Sequence, residues 1–236
     1  MRIAIMSAPR SGNHWIKCLL GEVYGLELLK GKQKPGSKGK QVRAALEEGT
    51  FPDNTILHQH SSYHRRLAKA LHAAPATIVT IIRDPYDVFV SYHRWIQEPD
   101  REGRKGSEDH PRNQMLGKPL DDPAVLAYLI NDYSSVLRRA VDWSTSGDSI
   151  VVRYEDLHRD PVATLRAVTD RISPVDDATI EAAFAACSID TMRVANPHTV
   201  KTGRVGDSRQ QLTQAHLDAF REHHGAAIRA LGYEVR

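Results

Sequence analysis

The stretch IAIMSAPRSGNHWIKCLL, residues 3–20, contains three structural patterns in direct succession. Its first residues, Ile3 to Met6, form a short apolar run that is typical of a buried strand. Ser7 to Gly12 brings serine, proline and glycine together, which predicts a turn. From Trp15 onward, apolar side chains recur at helical spacing as far as Val23. The chain therefore opens with a strand, a glycine-containing turn and a helix.

Similar patterns recur along the rest of the chain. Further strands are predicted at 55–57, 77–82 and 149–153, and the second of these consists only of β-branched residues, which indicates a strand buried on both faces. Helices are predicted over 42–48, 63–73, 125–141, 177–186 and 213–231, with two more beginning near Tyr86 and Pro161. This alternation predicts an α/β fold. We expect a single domain over residues 1–236, with a central parallel sheet flanked by helices on both faces.

Two segments interrupt the alternation. Residues 97–122 are polar, rich in glycine, proline and charge, and without periodicity, which predicts a long loop or lid. Residues 30–43 carry six cations and no acid, which predicts a basic loop. With those six set aside, the net charge of +3 becomes −3 for the rest of the chain. A near-neutral body with one basic loop does not fit a nucleic-acid coat, so no nucleic-acid partner is expected.

Composition excludes other classes. Apolar residues make up 41% of the 236 residues, which is enough for a sizeable core. No apolar run approaches the roughly 20 residues that span a membrane, and the first residues do not resemble a signal peptide. Cys18 and Cys187 are too few for a disulfide framework, so we expect both to be reduced, small buried hydrophobes. A cytoplasmic location is the simplest prediction.

Four polar residues follow directly after predicted strands: Arg10, His60, Arg83 and Tyr154. Ligands of open parallel sheets bind at the carboxyl ends of the strands. We therefore expect these four side chains on one rim of the sheet.

Three motifs near that rim suit phosphate groups. The first, residues 9–15, places Arg10 and Gly12 at a helix start, where free N–H groups and the helix dipole favour anions. The second joins Arg83 to Ser91 eight residues later, and the third is the glycine- and lysine-containing stretch 201–207. Each has an ordinary alternative: a capped turn, an Arg83 paired with Asp84 or Asp87, and a flexible surface turn. A Walker A string is absent from the sequence.

Taken together, the motifs resemble the cytosolic-type sulfotransferases that use 3′-phosphoadenosine 5′-phosphosulfate (PAPS). APRSGNHW looks like the 5′-phosphosulfate loop of that family, and IIRDPYDVFVSYHRW looks like its 3′-phosphate signature. VVRYEDLHRDPVATL, CSIDTMR and KTGRVGDSRQQLT are similar to three later segments, in the family's order. The resemblance implies a P-loop-NTPase-like sulfotransferase fold and PAPS as the cofactor, with adenosine 3′,5′-bisphosphate (PAP) as its product.

The resemblance also implies roles for individual residues. Arg10 falls where the family usually has a lysine on the bridging oxygen, Thr202 replaces a further lysine, and His14 stands where a threonine is common. His60 matches the general base, with Arg10 and Ser91 as its catalytic companions. The residues implied to bind the nucleotide are Arg10, Ser11, Gly12, Asn13, His14, Trp15, Arg83, Ser91, Tyr154, Ser188, Met192, Lys201, Thr202 and Gly203.

The assignment of the general base has alternatives. His58 and His60 occur in one His-Gln-His string, so either could be the base, and with His64 they could instead ligate a metal. The favoured mechanism needs no metal: an acceptor hydroxyl attacks sulfur in line, His60 takes the proton, and Arg10 stabilises the leaving oxygen.

Other functions also stay open at this point. A P-loop nucleotide kinase has a similar fold, and a non-catalytic nucleotide or polyanion-binding protein would fit the basic loop. Because aromatic residues make up only 6% of the chain, a polar acceptor such as a glycan or natural product is expected, bound in part by 97–122. The basic loop is either an acceptor-side element or solvated. The oligomeric state cannot be inferred.

Overall fold

The computed structural model describes residues 1–29, 39–98, 110–195 and 203–236. One five-stranded sheet organises it, in the order β2-β3-β1-β4-β5, and every pairing is parallel. The strands are β1 (Arg2–Met6), β2 (Glu27–Leu28), β3 (Thr55–Gln59), β4 (Ala76–Ile82) and β5 (Ile150–Arg153). The predicted α/β fold with a central parallel sheet is confirmed. The two-residue edge strand β2 has no counterpart in the prediction, because a dipeptide carries no periodicity.

Helices cover both faces of the sheet. They are α1 (Asn13–Tyr24), α2 (Gly39–Glu47), α3 (Arg65–Ala73), α4 (Pro85–Ile96), α5 (Pro123–Asn131), α6 (Ser134–Thr145), α7 (Tyr154–Arg159), α8 (Pro161–Ile172), α9 (Asp177–Ala186), α10 (Ile189–Ala195), α11 (Gln214–Ala219) and α12 (Gly225–Ala230). A 3₁₀ turn lies at Pro111–Met115, a second at Asp207–Gln210, and a π-helical turn at Phe220–His224 joins α11 to α12.

The central strand shows why both faces are apolar. Successive side chains of a strand point to opposite faces. Ile3 and Ile5 of β1 pack in one core cluster with helix α1, whereas Ala4 and Met6 pack in another with helix α3. β1 is therefore buried on both faces of the sheet. Residues that follow this strand can reach a ligand only beyond its carboxyl end, at the rim of the sheet.

Two predictions about elements are wrong. The helix expected over 125–141 is interrupted, because the chain turns between α5 and α6 at Tyr133. Tyr133 is fully buried and donates a hydrogen bond to the carbonyl of Pro85 at 2.8 Å, so its ring continues the apolar periodicity although the helix has ended. The basic loop expected over 30–43 is also shorter than predicted, since residues 39–43 belong to α2. Residues 30–38 lie outside the described residues.

Among the helices that the structure describes, none is long and apolar enough to cross a membrane.

Candidate active site

A cavity of about 980 Å³ opens at the carboxyl ends of the strands. Arg10, His60, Arg83 and Tyr154 all line it, one after each of β1, β3, β4 and β5. The expected rim of four strand-end residues is therefore present. The lining of the cavity falls into two parts. The part that we call the nucleotide half, after the ligand that the resemblance implies, is lined by Arg10, Gly12, Trp15, Arg83, Asp87, Tyr154, Cys187, Ser188 and Asp207. The part that we call the acceptor half is lined by Lys40, Arg43, Arg66, Tyr92, Trp95, Arg112, Tyr128 and Arg139.

The turn after β1 is shaped around its glycine. Gly12 has φ 101° and precedes α1 without any side-chain cap, so the helix start presents backbone N–H groups beside the cavity. A Cβ on Gly12 would lie 2.5 Å from Cδ2 of Tyr154. Asn13 donates to the carbonyl of Ala8 at 2.8 Å, which fixes the turn, while its buried Oδ1 has no hydrogen-bond partner among the described residues. Ser11 is buried and does not line the cavity.

Arg10 lies in this turn with φ 68°, a conformation that non-glycine residues rarely adopt. Its Nε donates to Oγ of Ser91 at 3.1 Å, so the first and second motifs meet as expected. Burial, and then the charges of Arg83 and Arg94, lower the pKa of the Arg10 guanidinium to about 10. Arg10 therefore stays cationic at neutral pH, and a bound anion would relieve the repulsion among these cations.

Arg83 is held from several directions. Asp84 caps α4 by accepting from the Tyr86 N–H at 2.8 Å, which places Arg83 between the strand and the helix. The Arg83 guanidinium lies 3.6 Å from the Asp87 carboxylate and 4.5 Å from the centre of the Tyr154 ring. The alternative in which Arg83 pairs with Asp87 is thus present in the fold. Nε of Arg83 is nevertheless buried without a hydrogen-bond partner in the described part of the chain.

Asp87 attaches the third motif to this site. Its two carboxylate oxygens accept from the backbone N–H groups of Gly206 at 2.7 Å and Ser208 at 2.9 Å. The Arg83 guanidinium donates to the carbonyl of Arg204 at 2.7 Å. The sequence interpretation named Asp87 only as a possible partner of Arg83 and did not predict its bonds to the third motif. Its position four residues after Arg83, in the first turn of a helix, was the available signal.

Aromatic rings complete the nucleotide half. The Tyr154 hydroxyl donates to the carbonyl of Gly203 at 2.7 Å, and its ring centre lies 5.7 Å from that of Trp15. The ring centres of His158 and Phe184 lie 4.8 and 5.9 Å from that of Trp15, the first tilted and the second edge-on. Neither residue was predicted, because both lie in ordinary helical patterns. Of the remaining predicted residues, His14, Ser188, Met192 and Gly203 also line the cavity. Lys201 and Thr202 lie outside the described residues.

His60 lies where the two halves of the cavity meet. Its Nδ1 is 2.8 Å from the carbonyl oxygen of Ser7, and because a carbonyl only accepts, Nδ1 carries the proton. The neutral ring then has its lone pair at Nε2, the atom that a general base uses. His58 belongs to β3, and its ring lies edge-on to His60 at 4.7 Å.

The metal alternative finds no support in this geometry. His64 caps α3, with its Nδ1 accepting from the Arg66 N–H at 3.2 Å. Within the described residues, no group of three or more His, Cys, Asp or Glu side chains is arranged to hold a metal ion.

Comparison with known proteins identifies the chain. The model of the sulfotransferase domain family matches residues 1–232. The chain belongs to the sulfotransferase family. The sequence-based assignment to a PAPS-dependent sulfotransferase is thereby confirmed at the level of enzyme class, and the kinase alternative is disfavoured. No curated protein matches the sequence.

Solved structures agree on the fold of this sulfotransferase. A crystal structure of mouse sulfotransferase SULT7A1 complexed with PAP superposes with a TM-score of 0.70 at 19% identity, over 97% of this chain and 84% of that one. Retinol dehydratase in complex with androsterone and the inactive cofactor PAP gives a TM-score of 0.60 at 11% identity, over 100% and 82%. The same enzyme with retinol and PAP gives 0.61 at 11% identity and the same coverage. The expected P-loop-like sulfotransferase fold is confirmed.

The acceptor half of this sulfotransferase has an aromatic wall. Tyr92 lies 5.6 Å from Trp95 and stacks at 6.1 Å on Tyr128, measured between ring centres. All three line the cavity, as do His110 and Arg112 from the segment expected to form a lid. Residues 99–109 of that segment lie outside the described residues. Aromatic residues are scarce in the whole chain but concentrated here, so the overall percentage was a poor guide to the pocket.

The prediction for the cysteines is wrong. Cys18 of α1 and Cys187, which follows α9, form a disulfide across 169 residues of sequence. Cys187 also lines the nucleotide half, next to Ser188. Sequence spacing could not reveal the pair, because only the packing of α1 against α9 brings the two sulfurs together. The cytoplasmic location stays a prediction, and the disulfide removes the argument on which it rested.

Proposed function

We propose that this sulfotransferase binds PAPS in the nucleotide half of the cavity and transfers its sulfuryl group to a hydroxyl of a polar acceptor, such as a glycan or a natural product. Adenosine 3′,5′-bisphosphate is the second product. One observation carries the proposal: the strand-end residues Arg10, His60, Arg83 and Tyr154 border a single cavity, with Ser91 bonded to Arg10.

The donors present fit a nucleotide with two separated anionic groups. The uncapped helix start at Gly12 suits a 5′-phosphosulfate, since a side chain at Gly12 would close the cradle. Arg83, with its unpartnered buried Nε, and Ser91 suit the 3′-phosphate. Trp15 and Tyr154 suit the adenine, with Ser188 and Met192 on the same side. Lys201, Thr202 and Gly203 are expected to close over the 3′-phosphate. PAPS supplies an activated sulfuryl group on a good leaving group.

His60 is the residue that handles the proton. The Ser7 carbonyl fixes its tautomer, which leaves Nε2 to accept the proton of the acceptor hydroxyl. A positioned base of this kind contributes about 10²–10⁴-fold to a rate. His58, held in β3, orients His60 through ring contact in this proposal.

Arg10 stabilises the negative charge that develops on the leaving oxygen. Its guanidinium is buried beside the phosphate turn, where a cation stabilises negative charge more strongly than it does in water. Since its pKa of about 10 keeps it charged, Arg10 acts as an electrostatic stabiliser and not as the group that takes the proton. The bond from Arg10 to Ser91 connects this stabiliser to the 3′-phosphate position.

The test is an acceptor screen with labelled PAPS, in which release of the bisphosphate is measured for the wild type and for His60→Ala. We expect His60→Ala to lower kcat about 10²–10⁴-fold and to leave the dissociation constant of PAP within about twofold. His64→Asn is the matched control. His64 also lines the cavity but caps α3, and an asparagine can cap the helix in its place, so kcat should stay unchanged.

The other outcomes are equally informative. Full activity in His60→Ala would remove the base assignment. Tight PAP binding without transfer to any acceptor would favour a non-catalytic nucleotide-binding protein instead.

A further inference from the structure

The acceptor half of the cavity is unusually cationic. Five basic side chains from four separate segments line it: Lys40, Arg43, Arg66, Arg112 and Arg139. Among the described residues that line the whole cavity, the carboxylates are Asp87 and Asp207, and both lie in the nucleotide half. The Asp87 carboxylate pairs with Arg83 and accepts hydrogen bonds from two backbone N–H groups. The Asp207 carboxylate pairs with Arg94 at 3.2 Å. No described carboxylate of the lining therefore neutralises the acceptor half.

Two of these cations have buried donors without acceptors. Nε of Arg112 and Nε of Arg139 are both shielded from solvent and have no hydrogen-bond partner among the described residues. Arg43, by contrast, lies 3.4 Å from the exposed carboxylate of Glu47. A buried donor without a partner destabilises the fold, and such groups are rare in native proteins. A ligand that brings its own acceptor oxygens would remove this cost.

Arg139 faces the cavity from helix α6. Ser135 and Arg139, four residues apart on α6, both line the cavity, so this face of α6 is turned toward it. One turn further on, Trp143 donates to the carbonyl of Ser61 at 2.9 Å, and Ser61 directly follows His60. Arg139 therefore projects from a helix that is bonded to the segment carrying the base.

Arg112 lines the same cavity from the 3₁₀ turn at Pro111–Met115. Its guanidinium lies 5.6 Å from the ring centre of Trp95, which belongs to the aromatic wall. A guanidinium held against an aromatic ring keeps its planar fork in one orientation. The acceptor half thus offers two oriented cationic forks beside a surface of aromatic rings.

We propose that the acceptor is an anionic hydroxyl compound, whose carboxylate, phosphate or sulfate group is bound by Arg139 and Arg112. Its ring or hydrocarbon body packs on Tyr92, Trp95 and Tyr128. Guanidinium groups bind such oxyanions through paired hydrogen bonds, which a neutral hydroxyl or amide cannot match.

This inference rests on the proposed function and narrows its acceptor. The reaction itself is unchanged: the acceptor oxygen bonds to sulfur as the bond from sulfur to the bisphosphate oxygen breaks, and the hydroxyl proton goes to His60. The anionic group takes part only in binding.

The experiment compares acceptors that differ only in charge. Hydroxy acids and their primary amides are paired in a phenolic, a steroidal and a sugar series, and kcat/KM is measured by bisphosphate release. In at least one series we expect the acid to exceed its amide by about 10–100-fold, the value of one or two charge-assisted hydrogen bonds. Within that series, carboxylate, phosphate and sulfate forms of one hydroxyl compound identify which oxyanion the forks prefer.

Variants assign the preference to residues. Arg139→Met should remove most of the preference for the acid by raising KM for the acid. The values of kcat, KM for PAPS and KM for the amide should stay unchanged. Arg139→Lys should restore part of it. Arg138→Met is the matched control, since Arg138 is the exposed neighbour on α6 and does not line the cavity. A merely structural role for Arg139 would lower the melting temperature and affect acid and amide alike. Arg112→Met provides the same comparison if Arg139→Met does not fold.

Calorimetric binding of the same pairs to PAP-saturated protein separates this inference from the proposed function. A preference for acids that Arg139→Met removes supports the inference even if no acceptor is turned over. Equal use or equal binding of acids and amides in all three series overturns it, whereas the proposed function would survive that result.

Discussion

The two halves of the cavity are built in opposite ways. In the nucleotide half, charges are mostly matched within the chain: Asp87 faces Arg83 and two N–H groups, and Arg94 faces Asp207. In the acceptor half, Arg112 and Arg139 bury Nε atoms that no described residue satisfies. The nucleotide half therefore balances part of its charge with Asp87 and Asp207 and leaves Arg10 and Nε of Arg83 for a bound anion. The acceptor half has no described carboxylate in its lining, so its charge balance depends on a ligand.

The disulfide offers the strongest way to test this difference, because it belongs to the nucleotide half alone. It joins the helix that starts at the phosphate turn to the segment that carries Ser188. We expect the double variant Cys18→Ala, Cys187→Ala to lose about 2–4 kcal/mol of unfolding free energy, measured by urea denaturation. KM for PAPS should rise, and KM for the acceptor should stay constant.

Reductant provides the control for the disulfide. Reduced wild-type protein should match the double variant, and the double variant itself should not respond to reductant. Two titratable thiols in the denatured, unreduced wild type would show that the bond does not form in solution. An equal rise in both KM values would mean that the two halves are mechanically coupled.

Gly12 tests the nucleotide half at its centre. Gly12→Ala places a Cβ 2.5 Å from the Tyr154 ring at a φ of 101°. That ring is fixed by its bond to Gly203 and by the Arg83 guanidinium, so it cannot move without disturbing the site. We expect the dissociation constant of PAP to rise at least about tenfold, since strain and overpacking each cost at least about 1 kcal/mol.

Gly49→Ala is the matched control for this substitution. Gly49 also has a positive φ, 71°, but a Cβ there meets no atom within 4 Å. It should lose stability through backbone strain alone and bind PAP like the wild type. If both variants bind PAP normally, the turn after β1 does not contact the nucleotide.

The same contrast explains what the sequence could predict. Arg10, His60, Arg83 and Tyr154 each follow a strand, and strand ends are local signals that parallel pairing brings together. Arg112 and Arg139 carry no such signal, because an arginine in a helix or polar loop is expected to be solvated. Their burial depends on how α5 and α6 pack, and the break between those helices was hidden by the apolar Tyr133. The bonds of Asp87 to Gly206 and Ser208, and the disulfide, were missed for the same reason, since only tertiary packing brings these groups together.

A lower pH should have the smallest effect among these tests. It acts mainly on the helices that support the acceptor half. Burial lowers the pKa of His93, His216 and His224, whose Nε2 atoms donate to the carbonyls of Lys118, Leu120 and Leu129 around α5. One further histidine with a lowered pKa, His158, lies in the nucleotide half.

A lowered folded-state pKa means that the unfolded chain binds more protons, so these groups withdraw stability as pH falls below 6.5. We expect the unfolding free energy to decline from pH 7 to pH 5.5, and His224→Gln to reduce that slope by up to about 1.4 kcal/mol per pH unit. An unaltered slope in His224→Gln would mean that the buried histidines of this scaffold do not titrate with unfolding, and acid would then not distinguish the two halves.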